Sequence, residues 1–172
     1  KNVSNYLNAS ENESRQIASS YFKSEFGAGD KNYNGSNVTV RYLYTASRTK
    51  PEEAVFAQLA LAFEVARISP LVVGINLLAA EDNWTAREDY LKQMEMIEFL
   101  HEKYPEVKIA LHAGELTPGL VPPEDLRFHI REAVETGNAS RIGHGVDIMS
   151  EPDSSKTLEN MAEKRICVEI MP

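Results

Sequence analysis

The sequence holds one cysteine, one tryptophan, and fewer basic than acidic residues, 18 Lys and Arg against 26 Asp and Glu. A single thiol, Cys167, excludes an internal disulfide framework and any Cys-rich zinc site. Within the apolar run Arg165-Ile-Cys-Val-Glu-Ile170 it reads as a buried small hydrophobe rather than a nucleophile. A formal charge of −8 leaves no clustered cationic surface, so neither nucleic acid nor an anionic membrane is an expected partner. No apolar run approaches the ~18 residues of a membrane span. The first residues form no basic-then-apolar targeting signal. Neither His-x-His nor Asp-Asp occurs anywhere in the chain.

What is plentiful is Asn followed by Ser or Thr. Seven such triplets start at Asn2, Asn8, Asn12, Asn34, Asn37, Asn83 and Asn138. They fit a glycosylated, secreted chain, and they fit equally a Ser- and Asn-rich amino-terminal stretch. A periplasmic or secreted location is the expectation over a cytoplasmic one.

The chain divides near residue 37. Residues 1–37 predict a helix over Ser10–Phe26, with Ser10 and Glu13 spaced as a capping box and Gly27 just past its end, then a turn-rich loop. Residues 38–172 predict a strand-helix alternation. The strands are expected at Val38–Tyr44, Leu71–Leu77, Val107–His112, Arg141–His144 and Ile166–Ile170. Helices are expected at Pro51–Ile68, Thr85–Lys103, Pro123–Glu135 and Ser154–Lys164. Repeated βα units of ~25 to 35 residues imply a parallel sheet with right-handed crossovers.

Strand parity selects the architecture. Val107, Ile109 and Leu111 share one face while Ala110 and His112 share the other. Likewise Val73, Ile75 and Leu77 lie opposite Gly74 and Asn76, and Ile166, Val168 and Ile170 lie opposite Cys167 and Glu169. A doubly wound sheet is apolar on both faces. A barrel has helices outside only, and its lumen holds polar groups near the carboxyl ends of the strands. The fold class is therefore α/β, a TIM-type (β/α) barrel, of which this chain holds an incomplete portion of about five βα units.

Two constellations stand at strand ends. His112-Ala-Gly-Glu115 places a lumen-facing imidazole before a carboxylate, with Ala113 and Gly114 letting a ligand approach the backbone. A lone His-x-x-Glu is as readily a histidine satisfied in a tight turn. Arg141-Ile-Gly-His-Gly145 exposes a second imidazole between glycines at the end of the next strand, and chance seldom stacks two such sites in register.

Together these motifs resemble the adenosine deaminase family of metal-dependent amidohydrolases, from about Val38 to Met171. The resemblance implies a (β/α)₈ barrel that uses Zn²⁺ to convert adenosine or 2′-deoxyadenosine to the inosine nucleoside and ammonia. It implies His112 as a zinc ligand, Glu115 as the acid that protonates the purine N1, and His144 as the group that orients and helps ionise the zinc-bound water. Gly74–Asp82 matches the strand whose loop contacts the purine. Ala79 stands nearest the place where the family offers a glycine N–H, and Gly114 is the second expected substrate contact. Glu81-Asp82 with Trp84 is closer to the secreted, growth-factor-related branch.

The same resemblance sets departures. The family takes two zinc ligands from a His-x-His and another, with a catalytic carboxylate, from an Asp-Asp pair, and this chain has neither. The expectation is strands three to seven of eight, weak zinc binding or none, no turnover alone, and self-association through open sheet edges. A different amidohydrolase (an adenine or nucleotide deaminase) and a non-catalytic fragment or binding module are the alternatives. His101 and His129 are expected on solvated helix faces. Trp84 suits either a pocket wall or local packing. Arg41, Arg141 and Glu169 are expected to form a buried, charge-paired layer beneath the site.

Overall fold

The computed structural model describes residues 41–171. The helix expected at 10–26, the loop at 27–37, the first strand's start at 38–40 and Pro172 lie outside the described residues.

Five strands, β1 (Tyr42–Ser47), β2 (Val72–Leu78), β3 (Lys108–Ala113), β4 (Arg141–His144) and β5 (Cys167–Glu169), form one sheet. Their order is sequential, β1 to β5, and every neighbouring pair is parallel. Sequential order means that each right-handed crossover steps the same way and leaves its helix on the same face. A doubly wound sheet would reverse at a switch point. The architecture is an incomplete TIM-type barrel.

Helix α1 (Glu52–Ile68) begins behind Pro51, whose φ of −53° suits the fixed proline ring. Glu52 and Glu53 sit in its first turn and Arg67 in its last, each complementing the helix dipole. Val55, Leu59, Ala62 and Phe63 recur at helical spacing, and all are fully buried. They join Ile75, Leu77, Ile109, Leu111, Ile130 and Ile142 in one core between sheet and helices. Burying each such side chain contributes roughly 1.5–3 kcal/mol. Val73 departs from its expected face. The pairing of β1 with β2 shifts at Tyr42/Leu43, skipping Val73, and this bulge leaves the side chain exposed.

Two expected helices are broken. The first divides into α2 (Trp84–Glu88) and α3 (Tyr90–Lys103) at Asp89. Its cap is Asn83, whose side chain accepts from the Thr85 N–H at 3.0 Å, rather than Thr85 itself. The break turns Tyr90 inward, where its hydroxyl donates to the His129 carbonyl at 2.7 Å. The second begins as a 3₁₀ turn at Asp125–Arg127, and α4 proper spans His129–Glu135. Its start is fixed from afar: the Glu151 carboxylate accepts from the N–H of Ile130 at 2.7 Å and from that of Arg131. Helix α5 (Ser154–Glu163) leads into β5. Cys167 is exposed, not buried, on β5, the last strand of the sheet among the described residues.

Candidate active site

The carboxyl ends of β3 and β4 bring His112, Glu115 and His144 together. The two imidazoles lie 5.2 Å apart between ring centres, and His144 Nε2 lies 3.4 Å from Glu115 Oε2. His144 adopts φ of +73°, followed by Gly145 at +64°. A non-glycine residue held there costs about 1–3 kcal/mol and persists only where its surroundings over-determine it. They do here: Gly145 N–H donates to the Ala113 carbonyl and Val146 N–H to the Gly114 carbonyl, each at 2.9 Å. Gly143 lies on the same face as His112, and a Cβ there would sit 3.4 Å from the imidazole.

His112 is oriented from β2. Its Nδ1 lies 3.1 Å from Asn76 Oδ1. With the amide oxygen as acceptor, Nδ1 carries the proton and Nε2 keeps its lone pair, the tautomer a metal ligand needs. Burial, reinforced by His144 and Arg48, holds the imidazole below the ordinary histidine pKa and so favours the neutral form.

Beneath these groups runs a buried polar cluster. Glu81, in the loop after β2, accepts from Gly114 N–H at 3.1 Å through Oε1 and from Glu115 N–H at 2.8 Å through Oε2. His129 Nδ1 donates to the same Oε1 at 2.7 Å, and its ring stacks on Tyr90 with centres 3.8 Å apart. Arg48, fully buried just past β1, lies 3.7 Å from Glu81 Oε1 and donates to the carbonyls of Leu77 and His112. Burial alone would raise the Glu81 pKa, but the His129 hydrogen bond, Arg48 and the Glu115 N–H bring it below the usual carboxylate value. Asp147 is buried nearby. A Cβ on Gly114, whose φ is +77°, would meet Asp147 Oδ1 at 2.5 Å.

The remaining expectations fare unevenly. His129 is a core residue rather than a solvated one, because the carboxylate of Glu81 and the ring of Tyr90 draw it inward. His101 is half-buried, with Nδ1 shielded from solvent. Arg141 Nε and Glu169 Oε1 pair at 2.8 Å, as expected, but the pair is solvated, with 46% and 37% of the side chains exposed. Arg41 is exposed as well. The open lumen keeps this layer wet. Trp84 is 67% exposed at the sheet's carboxyl end, on the short helix α2. Ala79 is half-buried with φ of +99°, a backbone shape suited to glycine. Gly114 keeps its place beneath the site, its N–H taken by Glu81 and its carbonyl by Val146. Parity had placed Asn76 on the inner face, but Arg48, Glu81, His129 and Asp147 carry no local motif.

The donor set fits zinc in part. His112 presents one prepared nitrogen, with a second imidazole beside it. Among the described residues no group of three or more His, Cys, Asp and Glu could hold a metal ion. Catalytic zinc sites take three protein ligands. Of such a set the described residues offer one prepared nitrogen, that of His112.

Comparison with known proteins agrees with this geometry. The sequence profile of the family described as adenosine deaminase matches residues 12–172. The chain is 31% identical over 157 residues to an adenosine deaminase of Mycobacterium tuberculosis, covering 86% of this chain and 38% of that protein. It is 30% identical over 146 residues to one from Mycobacterium sp. (strain KMS), covering 80% and 35%. It is 29% identical over 157 residues to one from Mycobacterium marinum, covering 86% and 38%. The chain thus spans a little over a third of the curated relatives it matches. With a parallel sheet that gathers His112, Glu115 and His144 at its carboxyl ends, the chain belongs to the adenosine deaminase family.

Proposed function

We propose that the full-length gene product bearing this chain is a zinc-dependent hydrolase. It converts adenosine or 2′-deoxyadenosine, with water, to the inosine nucleoside and ammonia, and the 172-residue chain alone is inactive. The observation that carries the reading is the convergence of His112, Glu115 and His144 at one end of the sheet.

His112 would hold the zinc through Nε2, with Asn76 fixing its ring. The metal, when bound, acidifies a water so that hydroxide is supplied near neutral pH. Glu115, half-exposed at the mouth, is placed to deliver a proton to the purine N1 as C6 gains oxygen and loses its amino group. His144, pinned by its strained backbone, faces Glu115 and orients the attacking water. Ala79 and Gly114 would line the base. Gly114's polar groups are already bonded and its missing Cβ faces Asp147 and Ile130, so its contribution is a backbone turn that only glycine makes without a clash.

The test is ammonia release from adenosine by the zinc-loaded full-length product, with Glu115→Gln alongside. Turnover should fall by roughly 10²–10⁴-fold in the variant while zinc content is unchanged. The isolated chain should retain well under one equivalent of zinc after dialysis. Adenosine left untouched by the zinc-loaded protein, or a Glu115→Gln variant of ordinary activity, would refute the reading.

A further inference from the structure

We infer that Glu81 is a positioning residue for this reaction: its buried carboxylate, clamped by Arg48 and His129, fixes the backbone that carries Glu115. The inference rests on the deaminase reading above.

Glu115 reaches the mouth from a loop with no helix or strand of its own, because β3 ends at Ala113. A proton donor must be held at one height above its acceptor, and a loop carboxylate needs an anchor. Glu81 is that anchor. Its two oxygens take the N–H of Gly114 and the N–H of Glu115, at 3.1 and 2.8 Å, so each of the two successive peptide planes leading into Glu115 is held by one of them.

The anchor is itself held by two side chains. His129 of α4 donates to it at 2.7 Å, Arg48 lies 3.7 Å away past β1, and that same arginine donates to the His112 carbonyl. One ion cluster therefore ties the expected metal ligand and the expected acid to a single frame. Buried ion clusters are seldom more stable than apolar replacements of the same volume. This one sits directly under the reacting groups, where its rigidity acts on the chemistry.

An amide at position 81 would offer a donor where two N–H groups already converge. In the zinc-loaded full-length product, Glu81→Gln should lower kcat by roughly 10–100-fold, with KM changed less than about twofold and zinc retained. The decisive measurement is the double variant with Glu115→Gln. If Glu81 acts through Glu115, adding Glu81→Gln to Glu115→Gln costs no further turnover. His129→Phe repeats the cycle should Glu81→Gln fail to fold. It keeps a ring on Tyr90 and removes only the donor to Glu81, so the loss should be severalfold and again vanish in the Glu115→Gln background. Ordinary kcat in Glu81→Gln, or a deficit that multiplies in full with that of Glu115→Gln, overturns the inference. Ordinary kcat in Glu115→Gln instead sinks the deaminase reading itself.

Discussion

Asp147 is buried beneath Gly114, and among the described residues neither of its carboxylate oxygens finds a hydrogen-bond partner. Burial, with the charges of Glu81 and Glu151, pushes its pKa up from 3.8 to about 7. The folded protein thus holds this proton over a pH range in which the unfolded chain has released it. Stability contributed by the protonated group is whole below about pH 4 and is lost as pH rises through about 7. Asparagine, neutral and of the same shape, removes the penalty. At about 1.4 kcal/mol per unit, and discounted for relaxation and water access, Asp147→Asn should exceed the parent's stability by about 2 kcal/mol near pH 8. The advantage should shrink toward pH 5. Urea midpoints at the two pH values check it, and an advantage independent of pH would show that Asp147 is paired in solution. No sequence motif announces this residue. His112, Glu115 and His144 were legible because a strand end and flanking glycines fix them locally, whereas Asp147 acquires its character first from burial in the folded chain and then from the charges of Glu81, distant in the chain, and of Glu151.

At the scale of elements, much of the alternation was legible because each strand carries an apolar face and each helix a buried stripe. The misses are of one kind. Helix α4 starts at His129 because Glu151, from beyond β4, caps it. The break before α3 serves Tyr90, which bonds to His129. In each case the boundary is set by a partner outside the local window. The loop after β2 shows the reverse, a local choice that opposes its backbone. Ala79 occupies φ of +99°, where a Cβ is strained by about 1–3 kcal/mol. Glycine relieves that strain and gives back about 0.4–1 kcal/mol through a looser unfolded chain. Ala79→Gly should therefore stabilise the fold by about 1 kcal/mol, read as a higher denaturation midpoint with an unchanged slope. An unchanged or lower midpoint would mean that the loop relaxes its φ at no cost.

For the whole molecule the governing feature is an unclosed sheet. An eight-stranded barrel has no edges, but five strands leave β1 and β5 each with one side unpaired among the described residues. Those edges are apolar: Tyr42 and Leu43 are exposed on β1, and Val168, Ile170 and Met171 are exposed on and after β5. Edge strands in stable monomers are blunted by charge, proline or cover, and among the described residues no such device covers Val168 or Ile170. Arg141 and Glu169 are the charges nearest by, and each is neutralised by the other across the β4–β5 pair. The 172-residue chain should accordingly self-associate, its apparent mass in sedimentation rising with concentration. Ile170, 82% exposed, is the side chain to change, because a charge there disturbs no packing of the core. Ile170→Lys combined with Val168→Lys should shift the chain toward monomer while leaving its helical signal intact. The full-length product, if it closes the barrel over β5, should lose stability from the same pair of substitutions, because the lysines would then be buried. A chain that stays monomeric at every concentration would mean that these edges are covered in solution, and the lysines would then destabilise the isolated chain too.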